Sequence, residues 1–120
     1  MRQEAESQLK QKRMEKMKKT TLYIGLNDKD SKMPVMDILT ARDLVARLLF
    51  NAGIGGATIS ESVGIYTHEN GAGVVIEKTI RAELFDTPAE KIKIAVADIK
   101  KTLNQESILV ENTTIMADFV

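Results

Sequence analysis

Apolar residues after residue 20 recur with two alternating periods. A period-two run is followed by a helical run, by two period-two runs that meet at Asn70-Gly71, by a second helical run and by a final strand. Period two is typical of half-buried strands, and a spacing of three to four residues is typical of amphipathic helices. The order predicts β-α-β-β-α-β, an α+β sandwich with a four-stranded antiparallel sheet and two helices on one face.

The strands are predicted over residues 21–26, 57–67 and 74–84, and from 108 onward with a break at Asn112 or Thr113. Tyr23 lies on the outer face of the first strand, opposite its inward leucines and isoleucine. The inward face of the second strand is interrupted by Glu61, which predicts a β-bulge or a position at the sheet edge. The inward positions of the middle strands are Ile59, Val63, Ile65, Ile76, Ile80, Ala82 and Leu84.

Both helices carry start signals. Asp37 is an expected N-cap for a helix that runs to about Ala52 and is stopped by Gly53. Thr87-Pro88-Ala89-Glu90 predicts a capping box at the start of the second helix. The apolar side chains of that helix, among them Ile99, share one face and are expected in the core.

Charge divides the chain into two parts. Residues 1–19 hold seven Lys/Arg against three Asp/Glu, and residues 20–120 hold ten against fourteen. The first part is rich in helix formers and predicts a basic helical arm that precedes one domain over residues 20–120. Such an arm contacts nucleic acid only weakly, if it does so at all.

Composition restricts location and chemistry. The 120 residues include no cysteine, which excludes disulfides and thiolate metal sites and favours a cytoplasmic protein. The longest apolar stretches are shorter than the ~20 residues that span a bilayer, so no membrane association is expected.

The usual catalytic and metal-binding constellations are missing from the sequence. His68 is the only histidine and has only Glu69 beside it, while Asp28 and Asp30 resemble the start of a calcium loop in which Lys32 replaces the next ligand. No general base accompanies the serines. The sequence therefore predicts no catalytic residue, no metal and no cofactor, and a non-enzymatic protein.

The order of elements over residues 20–112 resembles the ferredoxin-like PII and CutA proteins, which associate as trimers and contact proteins or small ligands. Separately, three segments resemble parts of small uncharacterised proteins from mobile elements of Gram-positive bacteria: Tyr23–Asp30, Gly64–His68 and Leu103–Ser107. That class includes anti-CRISPR inhibitors, which act by binding a host nuclease.

Three functions follow as hypotheses. The first is a protein-interaction module, in the form of an inhibitor of a host defence nuclease, and the second is a PII-like or CutA-like oligomeric sensor of a small ligand. An enzyme of unrecognised type is the third. Outward apolar residues predict self-association as a dimer or trimer, in addition to an unidentified protein partner. The candidate partner-binding residues are Tyr23, Asn27, Asp28, Asp30, Tyr66, Glu77, Arg81 and Glu83.

Overall fold

The computed structural model describes residues 15–67, 71 and 73–120. Its elements follow the predicted order: β1 (Glu15–Gly25), α1 (Ile38–Asn51), β2 (Thr58–Thr67), β3 (Val74–Phe85), α2 (Ala89–Thr102) and β4 (Leu109–Ala117). The strands form one antiparallel sheet in the order β2-β3-β1-β4. The predicted ferredoxin-like α+β architecture is confirmed.

The core lies between the helices and one face of the sheet. Leu22 and Ile24 of β1 and Ile80 of β3 are completely buried there. The helices contribute Ala41, Val45, Leu49, Ile92, Ala95 and Ile99. Each large aliphatic side chain buried in this way contributes about 1.5–3 kcal/mol. No helix within the described ranges is long and apolar enough to cross a membrane.

β1 begins before residue 20. Residues 15–19, which the sequence assigned to a helical arm, are strand and pair with β4 from Glu15–Ala117 to Lys19–Thr113. The helical prediction is wrong for these residues because pairing with β4 outweighs their intrinsic helix propensity. β4 is also unbroken at Asn112, whose side-chain oxygen accepts a hydrogen bond from Thr20 Oγ1 at 2.9 Å. Residues 1–14 of the predicted arm lie outside the described residues.

The two helix starts differ in outcome. Asp37 caps α1 as predicted, accepting the Thr40 N–H at 2.9 Å. The capping box at Thr87 is wrong, because Pro88 is extended and occupies the cap position, so α2 begins one residue later. The Thr87 hydroxyl instead donates to the Phe85 carbonyl at 3.4 Å.

β2 and β3 project beyond the rest of the sheet. Their register is continuous from Thr58–Glu83 to Thr67–Val74, so Glu61 sits on an edge strand without a bulge. Because β1 ends at Gly25, opposite Thr79, residues 63–67 and 74–78 form a two-stranded ribbon. The tip residues His68, Glu69 and Asn70 lie outside the described residues.

One face of this ribbon carries an apolar stripe. We call these four residues the ribbon stripe; their exposed fractions are 63% for Val63, 70% for Ile65, 62% for Val74 and 67% for Ile76. The prediction that Val63, Ile65 and Ile76 face the core is therefore wrong. The alternation of the strands is as predicted, but the ribbon extends past the layer that the helices cover.

Candidate ligand cleft

A cleft of about 980 Å³ opens at the end of the sheet where the ribbon begins. Its walls are the ribbon, residues 27–32 (the cleft loop) and the connection between α2 and β4. Apolar side chains from Val74 to Ile76 and from Leu109 alternate with charged and amide groups. The volume lies within the range found for small-molecule sites, and the lining is mixed polar and apolar.

Glu77 is one of three carboxylates that line this cleft, with Asp28 and Glu106. It projects from β3 on the sheet face opposite the helices, and its Oε2 accepts the backbone N–H of Asn27 at 2.8 Å. The carboxylate lies directly over Gly25, where any Cβ would collide with it. The absence of a side chain on β1 at this point therefore makes room for Glu77 to reach the cleft loop.

Tyr66 lies beside Glu77. Tyr66 pairs with Val75, and Glu77 follows Val75 by two residues on β3, so all three side chains are on the same face of the ribbon. Burial, the negative charge of Glu77 and a hydrogen bond to Glu77 raise the pKa of the Tyr66 hydroxyl. Like an ordinary tyrosine, whose pKa is about 10, the phenol is protonated at neutral pH and can donate a hydrogen bond.

The cleft loop is folded around Asp28. Its Oδ1 accepts the N–H groups of Asp30 and Ser31, each at 2.8 Å. Hydrogen bonds from Asn104 and from these two N–H groups lower the pKa of Asp28 to about 2. Asp28 is thus ionised at neutral pH, with its charge directed into hydrogen bonds. In the part of the chain that the structure describes, no three His, Asp or Glu residues are grouped to hold a metal ion.

A second group of predicted residues lies elsewhere on the outer sheet face. The guanidinium carbon Cζ of Arg81 lies 5.8 Å from the centroid of the Tyr23 ring. The Nη2 atom of Arg81 forms an ion pair with Glu83 Oε1 at 3.4 Å. Glu83 also bonds Lys19 at 2.9 Å, and that hydrogen bond is the main cause of its lowered pKa. The Arg81 Nε atom is buried and has no hydrogen-bond partner among the described residues.

The eight predicted residues therefore separate into two places. Asn27, Asp28, Tyr66 and Glu77 line the cleft, and Asp30 adjoins it through the cleft loop. Tyr23, Arg81 and Glu83 form the second group.

Sequence reasoning missed Gly25, which lies against the Glu77 carboxylate, and Gln105, which lines the cleft. Gly25 was visible as a glycine inside a strand, which signals close approach of another group. Gln105 carried no such signal, because its contact with Asn27 spans most of the chain.

Comparison with protein-family models finds no match, and comparison with curated protein sequences finds none either. Among solved structures, a phage SAM lyase in complex with S-methyl-5'-thioadenosine is similar, with a TM-score of 0.61 and 18% identity over 84% of this chain and 90% of that chain. A Bacillus cereus protein related to NIF3 gives a TM-score of 0.58 and 17% identity, with 87% of this chain covering 27% of that one.

CutA from Synechococcus elongatus gives a TM-score of 0.50 and 9% identity, covering 86% of this chain and 78% of CutA. At such low identities the similarities establish architecture alone. They confirm the ferredoxin-like fold of the CutA type that the order of elements predicted.

Proposed function

We propose that this protein binds a small adenosyl ligand, of the class of S-adenosylmethionine and S-methyl-5'-thioadenosine, in the cleft around Glu77. The observation that carries the proposal is the joint position of the Tyr66 hydroxyl and the Glu77 carboxylate in a cleft of about 980 Å³. The similarity to the phage SAM lyase supports it, because that match covers 84% of this chain and 90% of the lyase.

The charges of the cleft suit such a ligand. Glu77 supplies a negative charge for a sulfonium or ammonium centre, and Lys29 and Lys32 of the cleft loop supply positive charges for a carboxylate. The apolar side chains of Val75, on the same face as Glu77, and of Leu109 offer surface for a base or a methylene chain. This favours the small-ligand hypothesis over the interaction module.

Calorimetric titration with S-adenosylmethionine and S-methyl-5'-thioadenosine tests the proposal. We expect Glu77→Gln to weaken binding by about tenfold or more, because a charge-assisted contact is lost. Glu61→Gln is the matched control, since Glu61 is exposed on the neighbouring edge strand. If the unaltered protein binds neither compound, the proposal is wrong.

The same incubations decide between a binding protein and an enzyme. Chromatographic detection of S-methyl-5'-thioadenosine together with homoserine lactone, both formed from S-adenosylmethionine and both lost in Tyr66→Phe or Glu77→Gln, would identify a lyase. Homoserine in place of the lactone would identify hydrolysis, because the C–S bond would then be broken by water. Binding without release would identify a binding protein, as the sensor hypothesis requires.

Self-association as a dimer or trimer is the second part of the proposal. The ribbon stripe supports it, because four neighbouring aliphatic side chains are more than 60% exposed. A binding role for the Tyr23, Arg81 and Glu83 group, a protein partner such as a host nuclease, a cytoplasmic location and weak nucleic-acid contact stay predictions.

A further inference from the structure

The connection after α2 contains a residue in an unusual backbone conformation. Asn104 has φ 48°, in the left-handed region that glycine and asparagine adopt most readily. It directly follows Leu103, the C-cap of α2, and turns the chain toward the cleft loop. The conformation directs both its side chain and its carbonyl to the same neighbouring segment.

Asn104 is bonded to the cleft loop at three points. Its Nδ2 donates to Asp28 Oδ2 at 2.7 Å and to Asp30 Oδ2 at 3.0 Å. Its carbonyl accepts the N–H of Lys29 at 3.1 Å. A single residue at the end of α2 thus holds three consecutive residues of the loop.

Gln105 extends this connection to the cleft carboxylate. Its side chain is buried, and its Nε2 donates to the Asn27 carbonyl at 2.9 Å. The N–H of the same residue, Asn27, donates to Glu77 at 2.8 Å. A continuous series of hydrogen bonds therefore connects the end of α2, through the backbone of the cleft loop, to Glu77.

We propose that Asn104 is a positioning residue for the cleft: it fastens the cleft loop to α2 and so keeps the Asn27 N–H against Glu77. This inference rests on the proposed ligand function of the cleft. A loop that is released from Asn104 occupies the binding geometry for only part of the time, and the apparent affinity falls by that fraction. The role is indirect, since Asn104 is not among the residues that line the cleft.

Asn104→Gly is the sharpest test, because glycine accepts the left-handed backbone and retains the carbonyl bond to Lys29 while the amide is removed. Asn104→Asp keeps the backbone preference but places a carboxylate against Asp28 and Asp30. Asn51→Gly, an exposed asparagine at the end of α1, controls for the cost of a new glycine.

Two quantities are measured for each variant. The first is the amide resonance of Asn27 in ¹⁵N-labelled protein without ligand, which reports the bond to Glu77. The second is the affinity for S-adenosylmethionine. We expect Asn104→Gly to move the Asn27 resonance and to weaken binding about tenfold, Asn104→Asp to do more, and Asn51→Gly to do neither.

An Asn27 resonance that is unchanged in both Asn104 variants overturns the inference, as does unchanged affinity in Asn104→Gly. The resonance needs no ligand. If the unaltered protein binds no adenosyl compound, the proposed function fails, while the Asn27 resonance still decides whether Asn104 positions the loop against Glu77.

Discussion

The Glu77 carboxylate occupies the space that a side chain at Gly25 would fill. Gly25 lies on β1 opposite Thr79, and Glu77 reaches across it from β3 to the Asn27 N–H at 2.8 Å. Gly25 does not have a positive φ, so glycine is not needed here for its backbone conformation. It is needed because it lets the Glu77 carboxylate approach the backbone of β1. The position of the Glu77 carboxylate in the cleft therefore depends on a glycine at residue 25.

Gly25→Ala is therefore expected to displace Glu77 without unfolding the sheet, because alanine accepts a strand backbone. The bond to Asn27 is lost, and ligand affinity at the cleft falls with it. Calorimetry and the Asn27 amide resonance measure the two effects. Gly56→Ala is the matched control, since a Cβ there meets no atom within 4 Å. Gly25→Ala protein with an unmoved Asn27 resonance would contradict this account.

Ile99→Ala should lower the free energy of unfolding by roughly 2–5 kcal/mol, because a completely buried side chain leaves a cavity in the core. Ile94→Ala on the same helix is the control, since Ile94 is 52% exposed and its loss should be small. Denaturant unfolding of both variants gives the comparison. A loss below 1 kcal/mol at Ile99, with an unchanged slope, would show that α2 is not docked as described.

The sequence predicted the order of elements because each buried stretch repeats its own period: Leu22 and Ile24 alternate, and Ile92 and Ile99 recur on one helix face. It did not predict exposure at Ile65, because alternation identifies a face without saying how far the covering helices extend. It placed Tyr66 and Glu77 on the outer face. It could not join Asn27 to Gln105 or Asp28 to Asn104, since these contacts connect segments more than 70 residues apart.

Low pH should lower the free energy of unfolding, in part because Asp28 becomes protonated. Hydrogen bonds lower the pKa of Asp28 from 3.8 to about 2, so the folded state favours the ionised carboxylate. This contribution to the free energy of unfolding is fully present above 3.8, the pKa of Asp28 in the unfolded chain. It is lost as the pH falls from 3.8 toward 2. Melting temperatures of Asp28→Asn protein should accordingly depend less on pH in this window than those of the unaltered protein. Parallel curves for the two would contradict the assignment.

Removing residues 2–19 should destabilise the domain, because Glu15 to Lys19 pair with β4 and Lys19 bonds Glu83 at 2.9 Å. Each kcal/mol lost lowers the melting temperature of a domain of this size by about 4 °C. A second truncation that removes only residues 2–14 retains these contacts and should melt close to the full chain. Equal melting temperatures for the two truncations would show that this end of β1 adds nothing to stability.

The ribbon stripe should determine the oligomeric state. Ile65 pairs with Ile76 across the ribbon, and both side chains are at least 67% exposed. Light scattering after size exclusion should give two or three times the 13.3 kDa chain mass for the unaltered protein. Replacing the pair by Ile65→Lys with Ile76→Glu keeps the cross-strand contact favourable but removes the apolar surface, so this variant should be a monomer. Ile94→Lys, an equally polar change on an exposed helix face, should leave the assembly intact. An unaltered protein that elutes as a monomer, or an assembly that survives the ribbon exchange, would rule out the stripe as the interface.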